Sequence, residues 1–234
     1  MNQPPVLAFE NVSLSKEGRQ IIKPLTLELA EKRIGIVGQN GSGKSTFARL
    51  LAGLIAPDTG RVHLNGADLF KDRKTALAHV GVIFQNPDHQ IIFPTVAEEI
   101  AFGLQQQGLK KAAAMDRALE VLDQHGRKEW AARNTHVLSQ GQRHYLCLMA
   151  VLAMEPKLIV LDEPYAGLDI PTSMGLHREL AGLAQSLVLI THDPAALKGF
   201  DRVIWIEDGA VFQDGPASEV LDAFTREMHR LGQA

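Results

Sequence analysis

Apolar and polar positions follow two patterns along the chain. Short runs that are almost wholly apolar predict strands buried on both faces, and they occupy residues 34–37, 80–84, 158–161 and 187–190. Stretches in which apolar residues recur every three or four positions predict amphipathic helices, and they occupy residues 45–54, 95–137, 139–152 and 219–231. Buried strands that alternate with helices are typical of an α/β protein with a parallel core sheet.

Additional strands and helix caps complete this outline. Residues 6–13, 26–30 and 61–64 predict antiparallel strands, and residues 203–207 and 210–213 predict a β-hairpin that turns at Asp208-Gly209. Thr95 and Glu98 have the spacing of a capping box at the start of the long helical block. Ser218 is the expected N-cap of the last helix.

A glycine-rich segment joins the first buried strand to the helix that follows it. Its residues fit the pattern G-x-x-x-x-G-K-[ST], and they are Gly38, Gln39, Asn40, Gly41, Ser42, Gly43, Lys44, Ser45 and Thr46. A strand, a glycine turn and a helix together direct backbone N–H groups toward anionic oxygens. The sequence therefore predicts a triphosphate-binding loop, in which Lys44 reaches the β- and γ-phosphates and the Ser45 hydroxyl binds Mg²⁺. The alternative is an ordinary glycine turn before a helix.

Polar side chains follow two of the later buried strands. The strand at residues 158–161 leads into Asp162 and Glu163, and His192 follows the strand at residues 187–190. Asp162 is suited to hold Mg²⁺ through its water shell, and Glu163 is placed to polarise an attacking water. Taken singly, the acids could serve solubility and the histidine could be an ordinary surface or core residue.

A short polar segment opens the helix at residues 139–152. It consists of Leu138, Ser139, Gln140, Gly141 and Gln142, with Ser139 at the expected N-cap. Alone, this segment is only a weak helix-cap signal. Its order and spacing between the phosphate loop and the acidic strand make the signal specific.

The ordered series resembles the nucleotide-binding domain of the ATP-binding-cassette (ABC) family over essentially the whole chain. The resemblance identifies Gly38 to Thr46 as the Walker A loop, Asp162 as the Walker B acid and Glu163 as the catalytic glutamate. By the same resemblance His192 is the switch histidine, residues 138–142 are the signature sequence and Asp169 belongs to the D-loop at residues 166–169. Gln85 corresponds to the Q-loop glutamine, which contacts nucleotide and joins Ser45 and Asp162 as a metal-binding residue.

This resemblance implies a fold and a mode of assembly. The fold is α/β, that of a P-loop NTPase ABC nucleotide-binding domain, with a parallel core sheet, an antiparallel β-subdomain and an inserted helical subdomain. One domain is expected over residues 1–234, with residues 1–85 and 138–234 as the nucleotide-binding core with its β-subdomain and residues 86–137 as the helical subdomain. Two cassettes, expected to be copies of this chain, would face each other head to tail. ATP and Mg²⁺ would bind between them, and Ser139 and Gly141 would act in trans.

Two positions depart from the family pattern. Gln140 stands in the signature where the family usually has glycine, so its side chain must fit a backbone shape that glycine adopts freely. The aromatic residue that usually stacks on adenine is missing from residues 12–18. We therefore expect a weaker base contact, made by Leu14 or Lys16, and looser selectivity for ATP over GTP.

The region after Gln85 indicates a subfamily. Residues 85–104 resemble the Q-N-P-D-x-Q and T-V-x-E-x-I-x-F-G-L segments of ATPases in energy-coupling-factor (ECF) importers, and the phosphate loop is most similar to that of biotin importers. The resemblance implies two membrane partners, a transmembrane scaffold (T) component and a substrate-binding (S) component. Ile91, Ile92 and Phe93 would form a groove for a short helix of the scaffold; the alternative is that these three residues are local core.

Composition agrees with this assignment. The net charge is −3 and no block of basic residues occurs, so the 234-residue sequence offers no electrostatic case for binding nucleic acid. The longest apolar stretch, residues 145–154, is about half of what a bilayer span needs, and the first residues lack the features of a signal peptide. Cys147 is the single cysteine and is expected to be a buried small hydrophobe. We expect a cytoplasmic protein that is peripheral on the inner face of the cell membrane.

Three functions are compatible with the motifs. The first is an ATPase subunit that drives vitamin uptake, with biotin as the suggested substrate. The second is a soluble ABC ATPase that remodels nucleic acid or ribosomes, a class that generally has tandem cassettes, coiled-coil arms or basic surfaces. The third is a nucleotide-gated interaction module without turnover, which the presence of both Glu163 and His192 makes unexpected.

Overall fold

The structure is a computed structural model that describes residues 4–72 and 78–233. The outer limits predicted for the domain, residues 1 and 234, lie outside the described residues, as does the start of the segment considered for a signal peptide. Contacts divide the chain into two compact units. The first contains the residues up to Val80, Lys157–Glu163 and the residues from Ala184 onward, and the second contains Gly81–Pro156 and Pro164–Leu183. The predicted helical subdomain, 86–137, falls within the second unit.

The described residues form ten strands and six α-helices. The strands are β1 (Leu7–Lys16), β2 (Arg19–Leu29), β3 (Arg33–Val37), β4 (Thr59–Leu64), β5 (Ala67–Asp68), β6 (Val80–Ile83), β7 (Leu158–Asp162), β8 (Ser186–Ile190), β9 (Arg202–Glu207) and β10 (Ala210–Pro216). The helices are α1 (Lys44–Leu51), α2 (Val96–Gln106), α3 (Lys111–Gln124), α4 (Gln140–Ala153), α5 (Ile170–Gly182) and α6 (Ala217–Gly232). None of these helices has both the length and the apolar character that crossing a bilayer requires.

An antiparallel sheet in the order β2-β1-β4-β5 forms the β-subdomain of the first unit. Its strand β2 begins at Arg19, well before the strand predicted to start at residue 26. The difference arises because β1 and β2 join in a tight turn, in which Glu17 and Gly18 both have positive φ. Polar residues and Pro24 hide this part of the strand from a hydrophobicity pattern. The ring of Phe9 stacks on that of Phe47 in α1 at 5.0 Å, so the sheet packs on the helix that follows the phosphate loop.

The core sheet of the first unit contains strands in the order β10-β9-β3-β8-β7. Strand β3 pairs in parallel with β8 and β9, and β7 pairs in parallel with β8. Every residue of β7 and β8 is buried, as expected for strands covered on both faces. Strands β9 and β10 form the predicted hairpin, with positive φ at both Asp208 and Gly209. The α/β prediction with a parallel core sheet is confirmed.

The second unit is built around α2, α3, α4 and α5. Residues 95–137, predicted as wholly helical, contain α2, α3 and two short 3₁₀ turns, because Gly108 and Gly126 adopt positive φ after the ends of α2 and α3. Side chains from α2, α3, α4 and one 3₁₀ turn share a core that includes Ile100, Leu104, Leu122, Trp130, Leu146 and Met149. The four segments therefore form one hydrophobic cluster.

Three predicted helix caps can be compared with the structure. Thr95 and Ser139 are N-caps, each accepting a hydrogen bond from the backbone N–H three residues later. The reciprocal capping box occurs at Ser139 and Gln142, whereas at α2 the Thr95 hydroxyl donates to the Glu98 carboxylate. The prediction that Ser218 caps the last helix is wrong. Helix α6 begins at Ala217 directly after β10, with Pro216 at the N-cap position.

Two leucines of α3 provide a matched test of the helical core. The Leu122 side chain is fully buried, whereas Leu119, one turn earlier, is 38% exposed. We expect Leu122→Ala to lower the free energy of unfolding by about 2–5 kcal/mol because it leaves a cavity, and Leu119→Ala to lower it by less than about 1 kcal/mol. Urea denaturation followed by circular dichroism measures both. Equal losses for the two variants would contradict this packing of α3.

Candidate functional site

The phosphate loop lies between β3 and α1 in the first unit. It is closed by a hydrogen bond from the Ser42 N–H to the Gln39 carbonyl at 3.1 Å, and Gly43 occupies the N-cap of α1 with φ 104°. Gly38 passes so close to β9 that a Cβ there would overlap the carbonyl oxygen of Ile206. The Gly209 N–H donates to the Ser42 carbonyl at 2.9 Å. The β9–β10 hairpin therefore packs against the phosphate loop and donates a hydrogen bond to it. The sequence did not predict this contact.

The side chains of the loop are arranged to meet an anion. The buried Lys44 ammonium donates to the carbonyls of Gly38 and Gln39, each at 2.8 Å, which uses two of its three N–H donors. Burial lowers the Lys44 pKa, and the charges of Glu163 and Asp162 partly offset that shift. The Ser42 hydroxyl is buried and has no hydrogen-bond partner among the described residues. A free donor on Lys44 and an orphaned hydroxyl fit the oxygens of a phosphate chain.

Asp162 and Ser45 place two oxygen ligands side by side. The Ser45 hydroxyl donates to Asp162 Oδ1 at 3.2 Å, which joins the start of α1 to the end of β7. Asp162 is buried, and burial raises its pKa against the opposing effect of the Ser45 hydrogen bond. Hydroxyl and carboxylate oxygens are the ligand types that Mg²⁺ prefers, with its other positions left to water and phosphate. These two residues fit the predicted metal site. Gln85, the third predicted ligand, lies in the second unit just beyond β6.

Glu163 turns away from its neighbour Asp162. Its backbone adopts the left-handed conformation, φ 49°, which a non-glycine residue enters only when its surroundings impose it. The Glu163 N–H donates to the Ile190 carbonyl at 2.9 Å, which extends the pairing of β7 with β8. The adjacent Asp162 and Glu163 carboxylates therefore contact different groups.

The Glu163 carboxylate is held by the end of β8. The Thr191 hydroxyl donates to Oε2 at 3.2 Å, and His192 Nδ1 lies 2.9 Å from Oε1. The glutamate side chain is 12% exposed and the histidine 65% exposed, so the pair reaches solvent through the imidazole. The structure thus brings together the two predicted catalytic residues. Thr191 was not predicted, although its position directly before His192 is the kind of signal that could have suggested it.

The signature and the D-loop lie in the second unit. Leu138 is buried and Ser139 caps α4, so Gln140 and Gly141 form the first turn of that helix. Asp169 caps α5 by accepting a hydrogen bond from the Thr172 N–H at 2.9 Å. Both motifs are therefore helix N-termini, where backbone N–H groups favour anions.

The segment from Val82 to Phe93 is shaped by side chains that bond to its backbone. Asn86 accepts from the Asp88 N–H at 2.9 Å. The Gln90 amide accepts from the Phe84 N–H at 3.3 Å and donates to the Val82 carbonyl at 3.2 Å. The buried Glu99 carboxylate accepts from the N–H groups of Ile92 and Phe93 at 2.9 and 2.8 Å. Glu99 carried no sequence signal, because glutamates in a first helical turn are usually exposed.

The three residues predicted to form a groove differ in exposure. Ile92 is 66% exposed. Ile91 is partly buried and packs against the core of the second unit, and the Phe93 ring lies 5.0 Å from that of Phe102. Ile91 and Phe93 therefore have local contacts, whereas Ile92 offers a free apolar side chain.

Known proteins resemble this chain along most of its length. The family model for the ABC transporter matches residues 22–166. The chain is 54% identical over 224 residues to the biotin transport ATP-binding protein BioM of Rhodobacter capsulatus, covering 96% of each protein. It is 34% identical over 213 residues to the energy-coupling factor transporter ATP-binding protein EcfA of Methanosphaera stadtmanae, covering 88% of this chain and 77% of that one.

Solved structures show the same fold. CbiO1 of Clostridium perfringens, part of the ABC transporter complex cbiONQ, matches with a TM-score of 0.78 and 28% identity over 92% of this chain and 90% of that one. The ATP-binding cassette MJ0796, as a dimer in a post-hydrolysis state bound to ADP and Pi, matches with a TM-score of 0.80 and 25% identity over 90% and 98%. Because family model, relatives and fold agree with the geometry around Lys44 and Glu163, the chain belongs to the ATP-binding-cassette transporter family.

Proposed function

We propose that this chain is the ATP-hydrolysing subunit of an ECF-type importer and that biotin is the transported substrate. The observation that carries the proposal is the Glu163 carboxylate, held by Thr191 and His192 in the same unit as the phosphate loop. The names of the relatives support the importer role and biotin. They do not favour the nucleic-acid alternative or the module without turnover.

The phosphate loop would hold the triphosphate. The remaining Lys44 donor and the Ser42 hydroxyl would donate to phosphate oxygens, and the N-terminus of α1 would add its dipole. Ser45 and Asp162, joined by Gln85, would hold Mg²⁺. The ion would neutralise charge that develops on the phosphates.

Glu163 would act on the attacking water. A carboxylate that polarises water must present a fixed oxygen to it, and Thr191 and His192 fix the orientation of this one. The His192 side chain is 65% exposed, so its second ring nitrogen would remain available to the γ-phosphate. Positioned acid–base groups of this kind contribute about 10²–10⁴ in rate.

A second copy of the chain would complete the site. Ser139 uses its oxygen as an acceptor in the α4 cap, which leaves its O–H free to donate to a γ-phosphate held by the partner. The dimeric state of the MJ0796 structure supports a working dimer of cassettes.

The membrane partners would be a T scaffold and an S component that binds biotin. Ile92 would enter the contact with a cytoplasmic helix of the scaffold, at a loop held firm by Glu99. The chain would then act in the cytoplasm, peripheral on the inner face of the cell membrane.

Vitamin uptake tests the proposal. We expect cells lacking this chain to lose high-affinity uptake of radiolabelled biotin, and the wild-type gene to restore it. Affinity purification from detergent-solubilised membranes is expected to recover two polytopic membrane proteins with the chain. Unchanged biotin uptake would exclude biotin as the cargo, and recovery without membrane proteins would exclude the importer role.

Glu163→Gln tests the chemical step. The amide keeps the shape of the side chain but removes the base, so we expect turnover to fall on the order of 10²-fold or more. Nucleotide should still bind, and an ATP-bound dimer should accumulate. Phosphate release and size-exclusion chromatography with MgATP measure the two effects.

Two further variants serve as controls for the Glu163→Gln measurement. Lys44→Ala should abolish nucleotide binding as well as turnover, because the cationic donor to the phosphates is lost. Glu120→Gln changes an exposed glutamate of α3 and should leave both properties unchanged. Near-normal turnover of Glu163→Gln would remove Glu163 from the catalytic role.

Glu99→Ala tests the loop at Ile92 and Phe93, which is the proposed contact with the scaffold. Removing the carboxylate leaves the N–H groups of Ile92 and Phe93 without that acceptor, so the loop should lose its shape. We expect recovery of the membrane proteins to fall at least about 3-fold, while ATP hydrolysis by the isolated chain stays within about 2-fold of wild type. Glu98→Ala removes the neighbouring carboxylate, which does not bond to the loop, and should retain the partners. Equal recovery with both variants would contradict the proposed contact.

A further inference from the structure

The signature motif and the D-loop are linked by a side chain within the second unit. Gln140, the first residue of α4, donates from its amide Nε2 to the Ala166 carbonyl at 3.3 Å. The next residue, Gly167, has φ 72°, and a Cβ placed on it would lie 2.6 Å from the same Nε2. The Gln140 amide therefore rests directly on the backbone of the D-loop.

A second contact joins the same two segments. A Cβ placed on Gly141 would lie 2.5 Å from the Thr172 side chain, so the first turn of α4 touches the first turn of α5. The Thr172 N–H is the donor that Asp169 accepts when it caps α5. One end of the D-loop is thus held through Asp169 and Thr172, and the other end through Gln140.

Gln140 also lines a cavity of about 410 Å³, whose walls include Gln85, Asp88, Arg143, Ala166 and Gly167. The Asp88 carboxylate lies 3.2 Å from Arg143 Nε, an ion pair that links the Gln85 segment to α4. Gln140 therefore stands where the D-loop, the signature and the Gln85 segment meet.

We propose that Gln140 is a positioning residue that ties the D-loop to the signature of its own subunit. A glycine at this position has no side chain and could not make the link. The two segments then move as one element when the cassettes close on ATP. This inference rests on the proposed function, because the D-loop and the signature act across a dimer of cassettes.

The link should affect turnover more than binding. An exposed hydrogen bond is worth little in ground-state affinity, and Gln140 is not placed on nucleotide by this geometry. Holding the D-loop in one arrangement would instead raise the fraction of closed dimers that are competent for hydrolysis. Loss of the link should therefore lower kcat and leave KM for ATP almost unchanged.

Two substitutions at Gln140 separate the hydrogen bond from the side-chain volume. Gln140→Met keeps the length but removes the amide donor, and Gln140→Gly removes both. With the whole chain, we expect backbone amide exchange in residues 165–169 to rise about 3- to 10-fold in both variants. We expect kcat for MgATP to fall by a similar factor, with KM within about 2-fold of wild type. Gln124→Met, at an exposed position of α3, is the control and should change none of these values.

Each other outcome counts against the link. Unchanged amide exchange in both variants would show that Gln140 does not hold the D-loop. A raised KM with unchanged kcat would show that Gln140 contacts nucleotide in the partner instead. The exchange measurement needs no membrane partner and no turnover, so failure of the importer proposal in the biotin-uptake test leaves it interpretable.

Discussion

The register of three parallel strands is the constraint on which the site depends. Strand β3 pairs with β8 and β8 pairs with β7, and the ladder continues past the strand ends. The Thr191 N–H donates to the Ile36 carbonyl at 3.0 Å, and the Glu163 N–H to the Ile190 carbonyl at 2.9 Å. Backbone hydrogen bonds therefore bring the phosphate loop, Asp162, Glu163 and His192 together at the carboxyl ends of these parallel strands. A slip of one residue in the strand pairing would move each acidic side chain to the other face of the sheet.

The sheet also explains the electrostatics at that edge. Burial lowers the pKa of Lys44 and raises that of Asp162, so each group is held where its charge is disfavoured. The opposite charges partly offset these shifts, because Asp162 acts to raise the Lys44 pKa and Lys44 acts to lower the Asp162 pKa. Such a site is poorly solvated before it binds anything, and charged ligands of the right geometry relieve that cost. The burial that makes the sheet stable is thus also what prepares the site for phosphate and a cation.

Sequence reasoning succeeded where function depends on local spacing. The strand, glycine turn and helix around Lys44 follow from adjacent residues, and the hairpin turn follows from the Asp208-Gly209 pair, both of which have the positive φ that such a turn requires. It failed where a polar residue gains its role from partners outside its own strand or helix. Thr191 bonds to Glu163, which only the fold brings near it, and Glu99 bonds to backbone groups of the loop before α2. The start of β2 and the cap of α6 were misplaced because Pro24 and Pro216 obscure the usual strand and cap signals.

The second unit holds its functional loops by a different means. The side chains of Asn86, Gln90 and Glu99 bond to backbone groups between residues 82 and 93. Bonds from side chains to backbone fix a loop without using its outward apolar residues, which leaves Ile92 exposed. Gln140 follows the same design when it bonds to the Ala166 carbonyl. A side chain at a position that is usually glycine in this family therefore adds a constraint between loops, at a place where the glycine would leave them independent.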